Sequence, residues 1–127
     1  LMTSVGVGED AIDIKKSGIF PIVHGIRTMA LDRGIPATPT MARIAALVAA
    51  GALQEELGRD LLGALRVFMG YRIASQIEAV RRGSVEEEAL VRPSRLTAAD
   101  RDILRDSLRV VRVFREVIAT RYKTSVF

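Results

Sequence analysis

The sequence predicts an all-α fold: an antiparallel helical bundle of four main helices behind a short extended N-terminal lead-in. Three observations carry this. Apolar residues recur at three- and four-residue intervals through most of the chain, the spacing of a helix with one buried face. Glycines at 34, 51 and 83 end the periodic runs, as residues that tolerate a left-handed helix stop do. Strand-like alternation is confined to the weak pattern "AIDI" at residues 11–14. A chain of 127 residues fits one domain, long enough to bury roughly two-thirds of its unfolded surface.

Residues 1–16 read as a lead-in or linker from a preceding domain, with glycine-rich "SVGVGED" at its centre, and residues 17–127 as the bundle. The opening Leu1-Met2 suggests a piece cut from something longer. Ser17 is placed to cap a first helix that tolerates Pro21 early and stops at Gly34. "IPATPT" is a proline-bearing turn, after which Thr40 caps a short helix from Met41 to Ala50. A long helix follows from about Gln54 to Arg82. The polar connector "GSVEEEALVRPSR" is expected to be loop with at most one helical turn. Thr97 with Asp100 resembles a capping box, opening a last helix that reaches about Tyr122.

Composition removes several function classes. The chain has no cysteine and a single histidine, His24, which excludes disulfides and thiolate metal sites and leaves zinc dependent on carboxylates. The longest apolar run, Ile44 to Leu53, is about half what a bilayer requires. With no leader pattern, a cytoplasmic location and no membrane partner are expected. The net charge of +4 is mostly arginine, scattered among acids, and only two tyrosines and four phenylalanines are available for stacking. That argues against nucleic acid.

Polar residues that break the apolar pattern are the candidates for function. With Leu65 as origin on the long helix, Leu61, Leu62, Phe68 and Met69 lie within roughly 60° on either side. Arg72 and Gln76 fall about 20° from that origin, one to each side, on the midline of the predicted core stripe. A buried guanidinium requires a carboxylate or an anionic ligand. Asp13 and Asp32 are the protein partners on offer, and Asp13 stands also as a possible carboxylate of a neighbouring catalytic site. Gly63, Gly70 and Ala74 share the opposite face within roughly 40°. Helix-interior glycine costs about 1 kcal/mol relative to alanine, so a close-packed second helix or another domain is expected there.

On the first helix Ile19, Ile22, Val23, Ile26 and Ala30 form one stripe, with Arg27 at its margin close in angle to Phe20 and Leu31; His24 is expected to face solvent. On the last helix Leu104, Leu108, Val111, Phe114 and Ile118 make the core seam. Arg101, Arg105, Arg109 and Arg112 recur on the other side, either as a solvated face paired with Asp102, Asp106 and Glu116 or as a docking surface for an acidic partner. No nucleophile–base constellation and no phosphate-cradling glycine loop is legible.

The segment "DIKKSGIFPIVHGIRTMAL" resembles the opening signature of the putative nucleotidyltransferase substrate-binding domain, a bacterial family, through Asp13, Lys15, Lys16, Gly18, Pro21, Arg27, Ala30 and Leu31. "TPTMARIAAL" is similar to its Thr-x-x-Arg-(Leu/Ile) segment through Thr40, Arg43 and Leu47. "YRIASQ" matches an Arg-x-x-x-Gln through Arg72 and Gln76, and "RPSRLTAADRDILRDSLRVV" matches a further segment through Pro93, Leu96, Thr97, Arg101 and Leu104. Four motifs in order span residues 10 to 120. His24 stands where many relatives carry an acid, and "SVEEEALVR" lacks the usual connector text.

The resemblance implies a non-catalytic accessory domain of a signalling nucleotidyltransferase. It would hold the acceptor or the nucleotide against a catalytic domain of the same polypeptide, often with CBS and cyclic-nucleotide-binding domains. Lys15, Lys16 and Arg27 would offer positive charge, and Arg72 with Gln76 would organise the pocket floor. Mg²⁺ and a nucleoside triphosphate belong to the catalytic domain, with no cofactor bound by this chain. The alternative is a structural dimerisation or regulatory bundle that uses the Gly63/Gly70/Ala74 face and has no ligand pocket.

Overall fold

The computed structural model describes residues 11–84 and 89–123. Four helices make the bundle: α1 (Phe20–Asp32), α2 (Thr40–Ala49), α3 (Glu55–Arg81) and α4 (Ala98–Tyr122). The predicted all-α bundle is therefore observed. Its only described sheet is a pair of two-residue strands, β1 (Ile12–Asp13) and β2 (Leu90–Val91), antiparallel with Ile12 opposite Val91. The connector is expected to be loop with at most one helical turn; it holds one such turn, 3₁₀ over Pro93–Arg95, and adds the unexpected β2. A strand of two residues is too short to show a period in sequence. Glu86, Glu87 and Glu88 lie outside the described residues.

Helical winding starts earlier than Ser17. Asp13 Oδ1 accepts the backbone N–H groups of Lys15 (3.0 Å) and Lys16 (3.2 Å), so the aspartate rather than the serine satisfies the orphan donors of the first turn. That turn, Lys15–Ile19, is π-helical, with the Phe20 N–H reaching back to the Lys15 carbonyl. The wide turn sits immediately ahead of Pro21, which has no N–H to offer. The other boundaries fall within about two residues of expectation. Gly34, Gly51 and Gly83 take positive φ of 66°, 74° and 71° after α1, α2 and α3. Thr97 Oγ1 accepts the Asp100 N–H at 3.1 Å, capping α4. Thr40 opens α2 without capping it. There Arg43 Nε instead donates to the Ala37 carbonyl at 2.8 Å and braces the preceding turn.

Two glycines key the bundle together. A methyl added at Gly18 would stand 2.6 Å from the Phe68 ring, and one at Gly25 would stand 2.5 Å from the Phe114 ring. Both rings are fully buried. The glycines thus let the π turn and α1 lie directly on the largest core side chains of α3 and α4, where any side chain would overpack. Ile22, Ile26, Leu61, Leu104 and Ile118 fill the space around them. No helix among the described residues is long and apolar enough to cross a membrane.

Candidate functional site

The family-like segment presents an outward face. Lys16, Phe20, His24, Arg27 and Leu31 are exposed, whereas Ile19, Ile22, Ile26, Met29 and Ala30 of the same segment are buried. Steps of three or four residues keep the exposed set on one line of the helix. Arg27, expected at the stripe's margin, is on that outer line. The rings of Phe20 and His24 stack nearly parallel, 17° apart in plane with centroids 5.6 Å apart. A flat aromatic pair thus lies between two cations about 16 Å apart along the axis. Thr28 Oγ1 donates to the His24 carbonyl at 3.0 Å and covers the backbone one turn on. Lys15 is half-buried and is not without a partner.

The long helix sits rotated from its predicted orientation. Its buried residues are Gly58, Leu61, Ala64, Phe68 and Ala79, which centre the core line about 45° from Leu65. Arg72 therefore lies about 25° from the core line and Gln76 about 65° from it, on the shoulder, and both are half-buried. The error has a physical source: Ala64 and Ala79 are small enough to let neighbours close over them, while bulkier Leu62, Leu65 and Met69 are only partly covered. Arg72 is not without a partner. Of the two aspartates suggested for it, Asp13 caps the π turn, and Asp32 Oδ2 accepts the Tyr122 hydroxyl at 3.3 Å. Burial and the Asp32 charge together hold that hydroxyl above its ordinary pKa. Gln76 opens onto a shallow groove of about 400 Å³ with Ile73, Ile77, Val80 and Arg81. Methyls added at Gly63 or Gly70 would meet nothing within 4 Å. The expected covering for that face is thus not supplied by the described part of the chain.

A groove of about 920 Å³ runs between the α2–α3 turn and the second half of α4. Val48, Leu57 and Val117 give it apolar walls, while Glu55, Glu116 and Arg121 place both signs on it. Arg121 Nη1 also donates to the Ala52 carbonyl at 2.8 Å, fastening α4 to the turn. A second groove, about 460 Å³, follows the first half of α4 and is lined by all four arginines of the predicted row. Lys15, Lys16, Arg27 and Arg72 line none of these three grooves. The structure therefore brings Lys16 and Arg27 onto one face and leaves Arg72 and Gln76 on another helix.

Arg115 was missed by the sequence reading. It is half-buried, and its Nε has no hydrogen-bond partner among the described residues. The signal was present: Arg115 falls about 20° from Leu104 on the α4 seam, as out of place there as Arg72 looks on the long helix. Among the described residues no three His, Asp or Glu side chains are grouped to hold a metal ion.

The family model described as "Putative nucleotidyltransferase substrate binding domain" matches residues 1–122. No curated protein and no solved structure matches the chain. The match spans nearly the whole sequence, and the chain belongs to that family.

Proposed function

We propose that this family member is a non-catalytic module that holds the acceptor or the nucleotide against a nucleotidyltransferase domain, presenting the outer face of the π turn and α1 as its contact surface. One observation carries the reading. The exposed cations of the family signature, Lys16 and Arg27, emerge on one line with a stacked Phe20–His24 pair between them. Cations at either end suit phosphate or carboxylate, and a flat ring pair suits a base or another planar group. Gly18 seats this segment on Phe68, so the face is fixed by the core. In this reading Lys15 adds charge at the entrance to the face. Arg72 and Gln76 act as framework on α3, and Mg²⁺ and the triphosphate are held by the transferase domain.

The test is Lys16→Ala with Arg27→Ala in the protein that carries both domains. Nucleotidyl transfer should show KM for one substrate raised about tenfold with kcat little changed, and the melting temperature should be unaltered because both side chains are exposed. Unchanged KM for both substrates overturns the reading.

A second reading, a dimerisation bundle, is favoured by one observation. The exposed side of α3 carries Ile73 and Ile77, each 50% exposed, and Val80, 76% exposed, beside uncovered Gly70 and Ala74.

A further inference from the structure

The arginine row of α4 is not a bare solvated face. It forms one side of a groove of about 460 Å³ whose floor is Leu104 and Leu108 and whose far wall is Ile12 of β1 with Pro93. The guanidinium groups are not equivalent. Arg101 Nη1 donates to the Pro93 and Leu96 carbonyls, at 3.1 and 3.0 Å, which locks its charge over the groove without neutralising it. Arg105 and Arg109 each pair with an aspartate one turn back, Asp102 at 2.6 Å and Asp106 at 3.2 Å. Arg112 has no ion-pair partner among the described residues. Exposed pairs of this kind are worth about 0–1 kcal/mol, so incoming carboxylates exchange with them at little cost.

We propose that this groove docks an amphipathic acidic helix, one that carries carboxylates at the arginines' spacing and aliphatic side chains between them. Three features select that occupant. The cations are spread along about 16 Å of helix axis rather than gathered at one point, which matches a line of carboxylates better than a phosphate tail. The groove's inner surface is aliphatic, from Ile12, Leu104 and Leu108, so a partner gains by burying apolar side chains between its charges. Among the described residues no aromatic ring lines it, so they offer no stacking platform of the kind single-stranded nucleic acid uses. The groove shares no residue with the α1 face, and the proposal stands or falls separately from the substrate-binding reading.

The probe is a synthetic amphipathic helix with four glutamates at the spacing of the arginines and leucines between them, titrated into the whole chain by fluorescence anisotropy. Binding should weaken about tenfold when Arg109→Glu and Arg112→Glu are combined, and more at low salt than at high. A lysine version of the peptide should then bind the reversed variant better than the native chain. Both substituted arginines are exposed, and circular dichroism verifies that the helices remain. Amide shifts on titration should centre on Ile12, Leu104 and Leu108. Failure of the glutamate peptide to bind overturns the proposal, as does equal binding by a glutamine version or by the reversed variant. Tighter binding of duplex DNA or inorganic triphosphate through the same arginines overturns it in favour of a phosphate site.

Discussion

Across the first half of α3, from Glu55 to Phe68, charge faces solvent in Glu55, Glu56, Arg59, Asp60 and Arg66, while Leu61, Ala64 and Phe68 are buried. Across the second half, from Met69 to Arg81, the large aliphatic residues Ile73, Ile77 and Val80 are the exposed ones, Arg72, Ser75 and Gln76 are half-buried, and only Ala79 is buried. One continuous helix thus changes its burial logic midway. The first half obeys the demands of folding, with the apolar face inward. The second leaves apolar surface to water that the bundle itself does not need. That strip of aliphatic surface is what the dimerisation reading uses.

The contrast is tested most strongly by Phe68→Ala. Truncation of a fully buried phenylalanine should cost about 3–5 kcal/mol, read as a lowered midpoint in urea; a loss under about 1 kcal/mol would mean the first half is not the structural one. The second half is tested by Ile77→Arg. Stability should change by no more than about 0.5 kcal/mol, as at an exposed site. If the patch joins two copies, sedimentation should show dimer dissociation rising about tenfold or more, whereas a monomer before and after the change removes the dimer reading. The smallest effect belongs to Gly70→Ala. With open space where the methyl would go, the exposed helix should gain about 0.5–1 kcal/mol. A gain in stability accompanied by weaker association would show that a partner approaches closest at that glycine.

This change of logic also explains where sequence reading succeeded and where it failed. Helix ends were legible because Gly34, Gly51, Gly83 and Thr97 act locally, through backbone conformation and a side-chain cap. On the long helix the predicted stripe is right at Leu61 and Phe68, which are buried, and too wide on its other side, where Leu62, Leu65 and Met69 are only partly covered. The small residues Ala64 and Ala79, which carry little periodic signal, mark the rest of the buried line. Ser17 was given the capping role that Asp13 performs, since a π turn shifts the winding by a residue and has no simple period to detect. Gly18 was recognised as part of a family-like pattern, but its reason, the ring of Phe68, lies fifty residues away in the chain. Lys16 and Arg27 are both exposed even though the π turn interrupts the regular helical period between them. The grooves on α4 depend on how β1 and the 3₁₀ turn lie against that helix, which no local pattern records.

The two-residue strand pair has a mechanical consequence. Ile12 and Asp13 are tied across to Val91 and Leu90, with the Ile14 N–H bonded to the Ala89 carbonyl at 2.9 Å. Tension applied to the chain at Ala11 would reach that clasp before the helices, and only these few rungs oppose it there. Ile12 would be peeled from α4 at once, and the arginine channel would lose its far bank while every helix was still wound. Pulling at this end of the chain is therefore a way to unmake one surface of the molecule and spare the rest.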